Sequence, residues 1–193
     1  MTPQVVIKLL ALLTLMSNMA IVIFLSFVMA KSRGLATKHW NKFLKFVSGK
    51  EIILSLIVAL TATLGSLYFS EVAGFQPCTL CWYQRILMYP LVLILGVALF
   101  RSKKVSDPEG LRPGRDVWNY VLPLSISGLL IAGYHYYYQI TGNPLLPCST
   151  IGFSVSCSER FFTYFGYITI PWMSLSAFIL ITIGMLLLRM KNS

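Results

Sequence analysis

The chain has 193 residues, of which 56% are hydrophobic and only 11% are charged, and its formal net charge is +10. Soluble domains carry about 25% charged residues, so this composition excludes an ordinary soluble protein and indicates an integral membrane protein. The basic residues lie between long uncharged runs, where lysine and arginine act as topology signals, so the positive charge does not predict nucleic-acid binding.

Long apolar runs predict five membrane-spanning helices. They lie between Lys8 and Lys31, between Glu51 and Glu71, and at about 82–100, 117–140 and 161–188. The first two runs contain 22 and 19 uncharged residues. At ~1.5 Å per residue, each is long enough to cross ~30 Å of hydrocarbon. Three prolines fall inside the later runs, where we interpret them as kinks rather than helix ends: Pro90, Pro123 and Pro171.

Residues 1–50 form an N-terminal unit in front of a four-helix core at 51–193. We interpret the first apolar run as an uncleaved helix, since it is longer than the apolar region of a signal peptide; cleavage after Ala30 is the alternative. The following segment has apolar residues at helical spacing, with lysines elsewhere on the wheel: Trp40, Phe43, Leu44 and Val47. This pattern predicts a short amphipathic helix on the anionic inner leaflet of the membrane.

The distribution of lysine and arginine predicts the orientation of the spans. Thirteen of these residues lie in 31–50, in 101–116 and in the C-terminal tail, and only Lys8, Arg85 and Arg160 lie toward the other side. The positive-inside rule therefore places the basic segments and the C-terminus in the cytoplasm. The N-terminus and the segments 70–81 and 141–160 then face outward.

All four cysteines lie in the outward segments or at their edges: Cys78, Cys81, Cys148 and Cys157. Disulfides persist outside the cytoplasm, and four cysteines allow three pairings. A zinc site is disfavoured because neither segment contains a histidine. Two structural disulfides remain an alternative, but a bond across C-x-x-C closes so small a ring that it restricts the unfolded chain little. A redox function suits that pair better.

The stretch "QPCTLCWYQR" places both C-x-x-C thiols at the start of a predicted span. Pro77 precedes the helix, whose free amide groups and dipole stabilise a thiolate in the first turn. Arg85 lies one turn beyond Cys81, about 6 Å deeper by helix rise. A charge inside a span is costly and usually functional, so we expect Arg85 to hold an electron acceptor; snorkelling to lipid headgroups is the alternative.

Three segments, "PCTLCWYQRI", "GYHYYYQITG" and "CSERFFTYFGYITIPW", together resemble the disulfide bond formation protein B family of membrane thiol:quinone oxidoreductases, especially its short-loop, BdbC-like branch. The resemblance covers about residues 50–190. It implies an all-α integral membrane protein with a four-helix transmembrane bundle, to which this chain adds one N-terminal transmembrane helix. The loop between Cys148 and Cys157 is short, with eight residues between the thiols.

The resemblance also implies the residues of the site. Cys78 and Cys81 would form the disulfide next to the quinone, with Arg85 as the quinone contact beside Gln84. Two further cysteines, Cys148 and Cys157, match the loop pair that exchanges with a partner, Cys148 being the expected point of attack. His135 aligns with a histidine near the quinone, although a histidine among tyrosines is also typical of an interfacial aromatic belt.

The resemblance implies an enzyme of a bacterial inner membrane that reoxidises an extracytoplasmic thioredoxin-fold (DsbA-like) thiol oxidase. Electrons would pass through both cysteine pairs to ubiquinone or menaquinone, with no metal involved. Two alternatives are a channel or assembly subunit with structural disulfides and a quinone reductase similar to vitamin-K-epoxide reductase. In that second family the active C-x-x-C comes late in the chain, whereas here it comes first.

Overall fold

A computed structural model describes residues 3–34, 37–104, 113–142 and 156–192. The described residues are mainly helical and form six helices: α1 (Pro3–Ser32), α2 (Thr37–Val47), α3 (Glu51–Glu71), α4 (Thr79–Lys104), α5 (Pro113–Thr141) and α6 (Ile170–Asn192). Five of them, all except α2, are long and apolar enough to span a membrane. The expectation of an all-α, multi-pass membrane protein is confirmed.

Helices α3 to α6 form a bundle in which each helix packs on the next and α6 closes the ring against α3. Its core includes Leu91 and Leu95 of α4, Val121 of α5 and Phe178 of α6, all fully buried. Gly128 of α5 lets the Phe178 ring approach the helix backbone, because a Cβ atom there would overlap the ring. Small residues commonly permit this close packing between membrane helices.

Helix α1 packs on the outside of the bundle against α6, and α2 packs back on α1. The predicted amphipathic helix is therefore present, but its aromatic residues contact protein. Phe24 lies 6.0 Å from Trp40 and 6.3 Å from Phe43 between ring centroids, and Phe27 stacks on Phe43 at 5.9 Å. Trp40 is only 3% exposed, so part of the face expected to contact lipid is covered by α1.

The fifth span is shorter than predicted. It begins at Ile170 rather than near Phe161, and the residues before it form a loop with a bridge between Tyr164 and Ile168. The loop turns at Phe165 and Gly166, which both have positive φ angles, 52° and 78°. Pro171 consequently lies in the first turn of α6, where its missing N–H breaks no helical hydrogen bond, so the predicted kink there is wrong.

The other two prolines lie inside α4 and α5, as expected: Pro90 and Pro123. Residues 161–169 do not cross the membrane, and their apolar side chains pack against other parts of the protein. Phe161 stacks on Phe75 at 4.7 Å, and Phe162 lies 5.6 Å from Phe69, so the loop packs on the end of α3 and on the segment before α4. This packing covers the end of the bundle that contains the cysteines.

Candidate functional site

The C-x-x-C motif forms the N-terminus of α4. The Cys78 carbonyl accepts a hydrogen bond from the Trp82 amide at 3.1 Å, so Cys78 occupies the N-cap position and Cys81 lies three residues into the helix. The Cys81 amide points at the Cys78 sulfur, 3.4 Å away. A serine oxygen commonly accepts the hydrogen bond at an N-cap, and here a sulfur accepts it from the otherwise free amide.

The two sulfurs of the motif lie 3.0 Å apart, and both cysteines are free rather than bonded to each other. The Cys81 thiol and then His135, which hydrogen-bond the Cys78 sulfur, hold the pKa of Cys78 well below that of an ordinary thiol, although burial raises it. A thiolate is the nucleophile in thiol–disulfide exchange. Cys78 is therefore chemically suited to attack or to leave in such an exchange.

His135 lies near the C-terminal end of α5 among polar groups, with 2% of its surface exposed. Its Nε2 atom lies 3.1 Å from the Cys157 carbonyl oxygen and 3.6 Å from the Cys78 sulfur, and its Nδ1 atom lies 3.0 Å from the Gln84 amide nitrogen. Because a carbonyl only accepts, we assign the proton to Nε2, and Nδ1 then accepts from Gln84. This burial does not fit an aromatic-belt position at the membrane surface.

Cys157 is buried, with 1% of its surface exposed, and is disulfide-bonded. It lines a cavity of about 20 Å³ together with Cys78, Cys81 and His135. The structure thus brings one cysteine of the second pair to the C-x-x-C thiols. Cys148 lies outside the described residues.

The segment that contains Cys157 is fastened to α5 by residues that the sequence analysis did not single out. The Gln139 amide donates to the Glu159 carbonyl at 2.9 Å, and Arg160 donates to the Gln139 carbonyl at 2.6 Å. Gln139 follows His135 by four residues and so lies on the same face of the helix, a spacing that was visible in the sequence. The His135 and Gln139 side chains both border the small cavity beside the thiols.

Arg85 is 8% exposed and points toward α3. Its Nε atom donates to the Ser66 hydroxyl at 2.9 Å, and Nη2 donates to the Ser66 carbonyl at 2.8 Å. Its guanidinium carbon also lies 5.3 Å from the centre of the Trp82 ring. A snorkelling arginine would extend to the headgroups, so this buried position does not fit that alternative. Ser66 is a further residue that the sequence analysis missed.

A second and larger cavity, of about 410 Å³, opens beside Arg85 between α1, α3, α4 and α6. Cys81, Gln84 and Arg85 border it, and most of the remaining lining is apolar. Its volume lies within the ~300–1,000 Å³ typical of small-molecule sites, and an apolar pocket with a few polar groups is their usual character. Cys81 borders both cavities, whereas Cys78 borders only the small one.

The ligand atoms of Cys78, Cys81 and His135 lie within 4.8 Å of one another. Neither outward segment contains a histidine, but the fold brings one to the thiols from α5. Structural zinc sites use four ligands, however, and both His135 nitrogens already have hydrogen-bonding neighbours. We therefore assign no metal to this cluster.

Comparison with known proteins identifies relatives of the chain. The sequence model of the family described as "Disulfide bond formation protein DsbB" matches residues 50–188. The chain is 50% identical over 141 residues to "Disulfide bond formation protein C" of Bacillus subtilis (strain 168), an alignment that covers 72% of this chain and 92% of that relative.

Two further relatives have names that concern disulfide formation. The chain is 42% identical over 139 residues to "Probable disulfide formation protein C" of Halalkalibacterium halodurans, covering 71% of this chain and 92% of the relative. It is 37% identical over 144 residues to "Probable disulfide formation protein" of Metapseudomonas resinovorans, covering 74% and 91%. No solved structure matches the chain significantly.

Proposed function

Because this chain belongs to the disulfide bond formation protein DsbB family, and is thus an oxidoreductase of disulfide formation, we propose that it is a thiol:quinone oxidoreductase. It reoxidises an extracytoplasmic thioredoxin-fold (DsbA-like) thiol oxidase and passes the electrons to ubiquinone or menaquinone. The observation that best supports this proposal is the position of Cys81 between two cavities. Membership of this family disfavours a channel or assembly subunit and an enzyme similar to vitamin-K-epoxide reductase.

The first exchange takes place at the second cysteine pair. A thiolate of the reduced partner attacks the disulfide between Cys148 and Cys157, with Cys148 as the point of attack, and the partner's other thiol resolves the mixed disulfide. The partner leaves oxidised, and the loop pair becomes a dithiol. The hydrogen bond between the Cys157 carbonyl and His135 keeps Cys157 near the C-x-x-C thiols.

The second exchange moves the same two electrons to the C-x-x-C pair. A thiolate of the loop pair attacks Cys78, Cys81 leaves, and a second attack restores the loop disulfide while Cys78 and Cys81 become a dithiol. The low pKa of Cys78 makes it a good leaving group in the second attack, when the other loop thiol breaks the mixed disulfide and the loop disulfide is restored.

The large cavity supplies the acceptor site. Arg85 and Gln84 offer N–H donors at its polar end, next to Cys81, and its apolar walls suit an isoprenoid tail. Gln84 and Arg85 would hold a quinone there, and it would take up the two electrons and two protons that Cys78 and Cys81 release when they form a disulfide. The Arg85 cation stabilises negative charge near the Cys81 sulfur, and Ser66 holds the guanidinium in place.

The basic segments support a multi-pass position in a bacterial cell membrane with the cysteines outside and the C-terminus in the cytoplasm. This orientation places the thiols where a secreted oxidase can reach them, while the apolar cavity stays within reach of membrane quinone.

Purified protein, a reduced thioredoxin-fold oxidase and a short-tailed quinone provide the test. We expect wild-type protein to reduce one quinone per partner dithiol oxidised and Cys81→Ser to reduce none. Tyr83→Phe changes an exposed side chain of the same helix turn and should keep wild-type activity. The proposal fails if wild-type protein reduces neither ubiquinone nor menaquinone, or if Cys81→Ser remains active.

A further inference from the structure

Helix α1 forms one wall of the large cavity. Its lining residues lie on one face of the helix: Leu10, Leu13, Thr14, Met16, Ser17 and Ala20. Cys81, Gln84 and Arg85 border the same cavity, so α1 shares it with the end of α4 at which the acceptor would bind. Without α1, this side of the cavity would open directly to lipid.

Polar contacts hold α1 in this position. The Asn18 side chain accepts a hydrogen bond from the Ser176 hydroxyl at 2.9 Å, and its amide nitrogen lies 3.3 Å from the Tyr167 hydroxyl. A polar side chain inside a membrane span is costly unless it is paired, and such pairs join membrane helices. Asn18 therefore fixes both the rotation and the depth of α1 against α6 and its preceding loop.

The N-terminal half of α1 also approaches α3 closely. A Cβ atom on Gly65 would lie 3.2 Å from the Leu10 side chain, so the small residue leaves room for the leucine. Leu10 and Gly65 of this contact border the cavity, as does Ser176, which bonds Asn18. These two attachments limit how far α1 can move away from Arg85.

The family match begins at residue 50, so α1 lies outside the part of the chain that the family describes. We propose that α1 is a specificity-determining wall of the quinone site, whose cavity-facing residues contact the bound quinone and restrict which quinones enter. This inference rests on the proposed function for the identity of the ligand. It adds that the N-terminal helix, rather than the four-helix core alone, determines quinone affinity.

A matched pair of variants on α1 tests the contact. Leu13 borders the cavity, whereas Leu12 lies next to it in sequence, is 50% exposed and lies outside the lining. We expect Leu13→Trp to raise the KM for quinone about tenfold with partner-thiol exchange unchanged, because the indole fills space that the quinone needs. Leu12→Trp should keep the wild-type KM. Equal KM values in both variants and wild type would overturn the inference.

Photolabelling supplies a readout that does not depend on turnover. A short-tailed azido-quinone should label the peptide that contains residues 10–20 in wild-type protein, and excess unlabelled quinone should suppress that labelling. In Asn18→Leu, labelling of α1 should fall while labelling of α4 persists, since the helix loses its attachment to α6. Labelling confined to α3, α4 and α6 in wild-type protein would refute the inference.

The two tests separate this inference from the proposed function. If the wild-type protein reduces no quinone, the proposed function fails, and labelling of α1 still decides whether that helix borders a quinone-binding cavity. If the wild-type protein reduces quinone but α1 is never labelled, only the role of α1 is wrong.

Discussion

Replacing Arg85 by methionine tests the acceptor end of the proposed site. Methionine keeps much of the length and the apolar body of the side chain, but it removes the charge and the N–H groups that contact Ser66. A hydrogen bond to a charged group contributes about 1.5–3 kcal/mol. Since ~1.4 kcal/mol corresponds to a factor of ten, loss of one such bond to a quinone carbonyl should raise KM or lower turnover roughly tenfold to hundredfold.

Steady-state kinetics with quinone as the varied substrate measures this effect. Arg85→Lys should recover part of the activity, because lysine keeps a point charge but lacks the planar fork that serves two acceptors. Ser66→Ala leaves the charge in place and removes only the hydroxyl that receives Nε, so its effect should be smaller than that of Arg85→Met. A large effect of Arg85→Met with a smaller effect of Ser66→Ala would show that Arg85 binds the acceptor and that Ser66 only positions the arginine.

The control is thiol exchange between the partner and the loop cysteines, followed without quinone. It should proceed at the wild-type rate in Arg85→Met, since Arg85 contacts α3 rather than the segment that contains Cys157. Wild-type quinone kinetics in this variant would refute the assignment of Arg85. If Arg85→Met loses both thiol exchange and quinone reduction, the arginine stabilises the fold of the site instead.

Three further predictions concern packing, exchange and pH. Gly128→Ala should lower the thermal unfolding temperature in detergent, because overpacking costs about 1–3 kcal/mol, whereas Gly96→Ala, with no atom near its Cβ position, should not. A partner whose second active-site cysteine is replaced by serine should accumulate as a mixed disulfide with Cys148 on non-reducing gels, since the thiol that resolves this bond is lost; trapping on the C-x-x-C pair instead would reverse the proposed order. Alkylation of Cys78 in reduced protein should remain fast below neutral pH, and His135→Phe should shift its rate profile to higher pH, because a contact that lowers the pKa is removed; an unshifted profile would contradict that cause.

Composition and residue spacing along the chain were enough to predict the membrane-spanning architecture and the position of the C-x-x-C thiols. Charge-free runs long enough to cross a bilayer predicted five spans, and the helices α1, α3, α4 and α5 contain the expected runs. Uncharged runs predict spans because burial in lipid constrains composition over about 20 residues of continuous chain. The C-x-x-C motif and Arg85 were equally visible, since their spacing within one helix places them on adjoining turns.

The end of the bundle that contains the cysteines was less predictable, because loop and span there have the same composition. Residues 161–169 resemble the start of a span, but their aromatic side chains pack on Phe69 and Phe75 above the thiols. An apolar residue satisfies lipid and a protein interior equally well, so hydropathy alone could not place the start of α6 at Ile170.

Helix packing determines which distant residues meet at the site. His135 lies 57 residues from Cys78 in the chain, yet packing of α5 against α4 brings its ring to the sulfur and its other nitrogen to Gln84. Helix packing likewise brings Ser66 to Arg85 and makes α1 a wall of the large cavity. A sequence specifies which face of each helix is polar or small, but the contact partners depend on how the helices rotate and pack together, and that is a property of the whole bundle.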